Sequence, residues 1–158
     1  MAEIYSTKKI MYEKMKHYCA YQERCQKEVE EKLRELKVDQ DMADEIMLSL
    51  IHENFVKEER YAKAIARGKF RINQWGKVKI KMLLRNSRIT TNLIELAMQE
   101  IDSIEYQNTI KELYLKKFNS FVKETASVKK QKTIQYLIQK GFEFHDILPV
   151  LEGIATQD

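Results

Sequence analysis

Glycine and proline are scarce in this sequence: four glycines and one proline in 158 residues. All-β and loop-rich folds need both at their turns, so the scarcity argues against either. No apolar run approaches the ~20 residues that a membrane-spanning helix requires. The first twenty residues mix polar and charged side chains, without the apolar stretch of a secretory leader. A soluble cytoplasmic protein with no membrane attachment is therefore expected. Cysteine is rare too, with Cys19 and Cys25 six positions apart. On one helix such a pair points in different directions and cannot close a disulfide. Two reduced thiols in a reducing compartment follow. A zinc site completed by His17 is the alternative, although its spacing fits no usual ligand pattern. What the chain does have in quantity is Lys, Glu, Leu, Ile, Met and Gln, which favour helix. With 44% hydrophobic residues it can bury a core, so an all-α fold is expected.

The marks of catalysis are also missing. The sequence has no glycine loop to cradle phosphates, no nucleophile elbow and no paired-histidine metal helix. His17, His52 and His145 are scattered. Glu58 and Glu59 are adjacent, and adjacent helical side chains diverge, so capping a helix start suits them better than acid–base work. A non-enzymatic protein without cofactor or metal is the expectation.

A register shift of 51 residues pairs Val29 with Ile80, Leu33 with Leu84, Val38 with Ile89, Ile46 with Ala97 and Leu50 with Ile101. A further shift of 53 pairs Leu84 with Leu137, Ile89 with Phe142, Ile94 with Ile147 and Ala97 with Val150. Apolar meets apolar throughout, which is how structural repeats announce themselves. Three units are predicted, at about 8–53, 54–102 and 103–154, within one domain over 1–158. Each holds a leading helix (8–22, 57–71, 104–118) and a following pair (26–36 with 40–52, 77–87 with 90–101, 128–140 with 144–153). Stacked triplets of this kind make an elongated, curved body. Asp39 or Asp41, Thr90 and Ser103 are candidate N-caps. Gly141 suits the left-handed residue that ends a helix, and Asn54 tolerates it. Lys37 and Arg88 suit that position less well, so their turns are expected to close differently. Pro149 is tolerable only near the start of the last helix. The polar stretch 120–132 reads as a flexible connection.

Charge is distributed unevenly. Between Tyr61 and Ile94 there is no acid but nine cations, which leaves −5 for the rest of a chain of net charge +4. By helical spacing Lys63, Arg67 and Arg71 form one stripe and Lys77, Lys81, Arg85 and Arg88 another, while Lys79 sits apart; Lys69 completes the nine. Trp75, in the turn between the two helices, either stacks on a base or anchors a protein, or else packs in the core. Such a segment suits DNA phosphates, single- or double-stranded, or acidic residues of a nucleoprotein partner. Arg60 fits an ion pair with Glu58 or a helix-terminal carbonyl as well as a partner contact, and Tyr61 fits the core.

In Asn54-Phe55-Val56-Lys57-Glu58-Glu59-Arg60-Tyr61-Ala62 an aromatic and an apolar residue precede acids, arginine, an aromatic and alanine. This stretch resembles the signature of the RecX family of regulators of the RecA recombinase, which usually begins with glycine, an aromatic and leucine. Ala66-Arg67-Gly68-Lys69-Phe70-Arg71 resembles the basic run that follows, and Trp75-Gly76-Lys77-Val78-Lys79-Ile80 the start of the next helix. Tyr21-Gln22-Glu23-Arg24 with Val29, Lys32 and Leu33, and Lys140-Gly141-Phe142 with Ile147 and Leu151, are similar to the flanking repeats. The likeness covers roughly 18–153. Asn54 replaces the usual glycine, Lys57 the first acid and Lys77 a frequent proline, and Cys25 sits near the family's serine.

The resemblance implies three three-helix repeats, a monomer and no catalysis. It also implies binding in the groove of the RecA–single-stranded-DNA filament, which limits its extension or promotes its disassembly and damps ATP hydrolysis, strand exchange and coprotease activity. Two other readings stand beside it: a helical DNA-binding protein acting without RecA, and a helical scaffold for acidic proteins.

Overall fold

The computed structural model describes residues 1–157, among which there are helices and no strands. The first triplet is α1 (Ala2–Tyr21), α2 (Gln26–Glu35) and α3 (Gln40–His52). The second is α4 (Glu58–Arg71), α5 (Lys77–Asn86) and α6 (Thr91–Met98). The third is α7 (Ser103–Ser120), α8 (Ala126–Gln139) and α9 (Phe144–Ala155). The extensive helix–helix contacts all fall within a triplet. The repeat-related residues Val29, Leu33, Ile46, Leu50, Ile80, Leu84, Ala97, Leu137 and Ile147 are fully buried.

The three second helices end alike. Val38 N donates to Leu33 O at 3.1 Å, Ile89 N to Leu84 O at 3.0 Å and Phe142 N to Leu137 O at 3.1 Å. The residue before each, Lys37, Arg88 or Gly141, has φ of 58°, 60° or 99°. This is the bonding of a Schellman turn. Lys37 and Arg88 thus close their turns as Gly141 does, contrary to expectation. The strain of a left-handed side chain, ~1–2 kcal/mol, is outweighed by burial of the apolar residue that follows.

The starts of these helices are less uniform. Cys25 and Gly76 precede α2 and α5 and supply no side-chain cap. The first amide of each is met by the leading helix of the next triplet: Gln26 N donates to Glu58 Oε1 at 2.6 Å and Lys77 N to Tyr106 Oη at 3.0 Å. Glu58 therefore does cap a helix, but it is α2 rather than its own. α8 is capped locally, with Thr125 Oγ1 accepting from Val128 N at 3.4 Å.

The two seams between triplets differ in chemistry. The first triplet has its own core, built on Met15, Val29, Leu33, Ile46 and Leu50. Its seam with the second is largely polar: Arg60 Nε donates to Glu23 Oε1 at 2.7 Å, Lys27 Nζ to the Asn86 carbonyl at 2.7 Å and Arg88 to Glu30 at 2.9 Å. The second and third triplets share one continuous core. There Tyr106 lies between Phe70 and Phe142, with ring centroids 5.7 and 5.2 Å away. Backbone meets backbone beside it, with Gly76 N donating to Lys140 O at 2.7 Å and Val78 N to Gly141 O at 3.0 Å. A Cβ on Gly76 would lie 2.1 Å from the Gly141 carbonyl carbon, so only glycine permits this approach.

Several boundaries differ from the sequence reading. α1 begins six residues earlier than expected; residues 2–7 contain no helix breaker, and Glu3 sits in its first turn. Asp39 caps α3 through Met42 N, but Asp102 rather than Ser103 caps α7, and Thr90 makes no side-chain cap bond. α6 stops at Met98 because the chain tightens into i→i−3 bonds at Gln99, Glu100 and Ile101. Within 120–132, only residues 121–125 are non-helical; Thr125 nucleates α8 from Ala126. Pro149 lies inside α9, where its exposed position leaves the orphaned carbonyl one turn back to water.

Both cysteines are free thiols, 6% and 0% exposed. Burial pushes the Cys19 thiol up to about 11 and raises that of Cys25. Since the thiolate is the reactive form, an aromatic disulfide reagent at pH 8 is expected to label neither in the folded chain and both in guanidinium. Prompt labelling of either folded thiol would contradict this placement.

Candidate interaction surface

α4 carries Glu58 and Glu59 in its first turn and Lys69 and Arg71 in its last, charges that complement the helix dipole. Tyr61, Ala62, Ala66 and Phe70 form its buried face. Tyr61 is in the core, as expected, its hydroxyl 3.3 Å from Ser87 Oγ. Arg60 is drawn inward as well, donating to the Asn54 carbonyl at 2.7 Å and pairing with Glu23 rather than Glu58. After α4 the chain reverses through Gln74, at φ 55°, and enters α5 at Gly76.

The cations singled out by sequence divide into two groups here. Lys63 lies 3.0 Å from Glu59, Arg67 3.2 Å from Glu100, Arg71 3.9 Å from Glu105, Lys81 3.6 Å from Glu95 and Arg88 2.9 Å from Glu30. The stripe Lys63–Arg67–Arg71 is thus matched by one acid per cation, and Arg88 is turned toward the first triplet. Surface pairs of this kind contribute at most ~1 kcal/mol. They leave the cations exchangeable but lower the local net charge. The acids come from α2, α6, the turn after α6 and α7, or from the start of α4, and lie outside or at the edge of the acid-free segment.

Among the described residues, Lys69, Lys77, Lys79 and Arg85 have no carboxylate within 4 Å. Lys69 Nζ and Lys79 Nζ sit 4.8 and 4.4 Å from the Trp75 ring centroid, and Lys77 Nζ lies 4.8 Å from that of Tyr106. Trp75 is half-buried and packs on the shared core. Its indole therefore serves the core and the surface together, and the two sequence readings for it are compatible. Arg85 stands exposed on α5.

One member of this cluster was missed by sequence reasoning. Lys140, from the third triplet, reaches back to donate to the Asn73 carbonyl at 3.2 Å. Burial pulls its ammonium pKa down, and the nearby Lys79 adds to the effect. Lys140 lies 46 residues beyond the acid-free segment, and only the Gly76–Gly141 contact brings it there. Lys69 and Lys79 on Trp75, with Lys140 beside Asn73 and Lys79, make a positive patch without carboxylate partners at the seam of the second and third triplets. Such a patch can hold phosphate or carboxylate groups and present an aromatic edge to them. No three His, Cys, Asp or Glu side chains among the described residues are assembled to hold a metal ion. No helix among them is long and apolar enough to cross a membrane.

Three family models match in series: the first three-helix domain of RecX over residues 12–50, the second over 58–98 and the third over 104–151. Regulatory protein RecX of Clostridium acetobutylicum is 34% identical over 137 residues, covering 84% of this chain and 63% of the relative. That of Bacillus cytotoxicus is 30% identical over 140 residues, covering 89% and 52%. The chain thus spans between about half and two thirds of the length of these relatives. The crystal structure of RecX from Lactobacillus salivarius superposes with a TM-score of 0.85 at 27% identity, covering 99% of both chains. The helical triplets found here coincide with the three successive domains of that family, which together span most of the sequence, and the chain belongs to the RecX family.

Proposed function

We propose that the chain regulates the RecA recombinase by binding the RecA–single-stranded-DNA filament in its groove. Bound there, it damps ATP hydrolysis, strand exchange and coprotease activity, and so controls recombination, repair and the SOS response. The observation that carries this reading is the unpaired cluster of Lys69 and Lys79 on Trp75 with Lys140 beside it at Asn73. A nucleoprotein filament presents phosphates and acidic side chains together, and a cationic patch on a fixed frame addresses both without ordering loops first. The resemblance of 54–80 to the family signature supports the choice of partner. The chain acts in the cytoplasm as a monomer, by binding and without a cofactor.

The test is the DNA-dependent ATPase of RecA titrated with the chain. Loss of most of the rate at or below one chain per RecA protomer is expected. An unchanged rate at saturating chain and low salt would sink the reading.

A further inference from the structure

A second basic surface lies on the third triplet, outside the acid-free segment. From Leu113 to Gly141 there are seven lysines and one acid, Glu124, which is held by Lys132 at 2.6 Å. In the central segment, by contrast, five of nine cations have a carboxylate within 4 Å. Between Leu113 and Gly141 six of seven lysines therefore have no carboxylate within 4 Å among the described residues, against four of nine cations in the central segment.

Aromatic rings interleave with these lysines. Lys117 Nζ is 5.4 Å from the Phe121 centroid and 4.8 Å from that of Tyr136. Lys129 Nζ is 5.2 Å from Phe118, and Lys132 Nζ 5.6 Å from Phe121. Phe118, Phe121 and Tyr136 are half-buried, each with part of its surface toward solvent. Lys140 Nζ, 5.8 Å from Tyr136, links this surface to the Trp75 cluster through its bond to Asn73.

We propose that the third triplet carries a binding site for single-stranded nucleic acid, in which Lys117, Lys129 and Lys132 take phosphates and Phe118, Phe121 and Tyr136 take bases. Lysine stems lying on rings are ordinary surface packing, and solubility alone could account for a few of them. It does not account for three rings set between Lys117, Lys129 and Lys132 within a stretch of seven lysines and one acid. Cations spaced along an aromatic row are the two components that single-strand recognition combines: phosphates pair with the ammonium groups, and the vacated ring faces stack on bases. An acidic protein would use the lysines but not the rings. A duplex keeps its bases stacked inside, so it too would use the charges alone. The site adjoins the proposed RecA contact at Lys140 and needs no recombinase.

The test is fluorescence anisotropy of a labelled 20-residue oligothymidylate with the full chain, in the absence of RecA. Three proteins are compared: wild type, Lys117→Gln/Lys129→Gln/Lys132→Gln, and the same three positions changed to Arg. The glutamine variant is expected to bind at least tenfold more weakly, and its log K against log salt slope to fall by about 2, at ~0.7 per lost phosphate contact. The arginine variant is expected to bind as wild type does. Phe121→Leu, which keeps an apolar side chain, is expected to weaken the single strand several-fold and leave a 20-base-pair duplex unaffected. Unchanged affinity and salt slope for the glutamine variant, with helicity intact, would overturn the proposal. So would equal competition by polyglutamate, or no effect of Phe121→Leu on the single strand. RecA takes no part, so these outcomes are independent of the ATPase test.

Discussion

Alanine at Gly141 is expected to lower the unfolding free energy by about 4 kcal/mol, among the larger effects a single methyl group can have. Its Cβ would lie 2.5 Å from Lys79 Cβ, 2.7 Å from Lys79 N and 2.9 Å from Gly76 O. Two of these are backbone atoms that cannot swing aside. Overpacking of this kind costs ~1–3 kcal/mol, and an L side chain at φ 99° adds ~1–2 kcal/mol. Relief requires the seam to open. That would strain the Gly76 N–Lys140 O and Val78 N–Gly141 O bonds, each contributing ~1 kcal/mol. Gly68 is the internal control, since it sits mid-α4 and a Cβ added there would meet nothing within 4 Å. Alanine there is expected to gain ~0.5–1 kcal/mol. Urea unfolding followed by circular dichroism measures both. A Gly141→Ala variant as stable as wild type would show that the seam is not closed as described.

Charge reversal at Lys69, Lys79 and Arg85 is expected to raise the concentration needed for half-inhibition of the RecA ATPase about 100-fold. That corresponds to ~3 kcal/mol over three reversals, in line with like charges being forced together at an interface. The choice of residues follows from the ion pairs. Reversing Arg67, Arg71 or Lys81 would set a carboxylate against Glu100, Glu105 or Glu95. Any lost inhibition would then mix with altered packing of α4 and α5 on their neighbours. Lys69, Lys79 and Arg85 face no carboxylate within 4 Å among the described residues, so their reversal leaves the fold's own pairs intact. Helicity and midpoint are expected to stay near wild type. Half-inhibition within threefold of wild type would remove the central surface from the proposed contact.

The repeat was legible because burial leaves a periodic trace. Val29, Ile80 and Leu33, Leu84, Leu137 occupy equivalent points of their triplets, and water is excluded from all of them. What escaped is whatever depends on residues distant in sequence. Nothing near Gln26 indicates that Glu58 will meet its amide, and nothing near Lys77 indicates Tyr106. Each seam is the product of two triplets, and pattern within one triplet does not describe it. The left-handed Lys37 and Arg88 are unreadable for a related reason: local preference opposes them, and packing of Val38 and Ile89 on the two cores decides.

The candidate site shows the same division. A run of cations without acids is visible in one dimension, and Lys63 to Arg88 is such a run. Which of them stay unpaired depends on Glu30, Glu95, Glu100 and Glu105, and these arrive only with the packing of α2, α6 and α7. Lys140 joins the cluster by the same route. Stretches such as 113–141 attract less notice because a single acid, Glu124, interrupts them. Charge counts that tolerate one acid per window would have marked that stretch.

Cosedimentation with preformed RecA–single-stranded-DNA filaments, held by a non-hydrolysable nucleotide, tests the engagement of the central surface most directly. Wild-type chain is expected to pellet with the filament, saturating at or below one chain per RecA protomer, while the Lys69→Glu/Lys79→Glu/Arg85→Glu chain stays in the supernatant at the same concentrations. Equal pelleting of the two chains would contradict it.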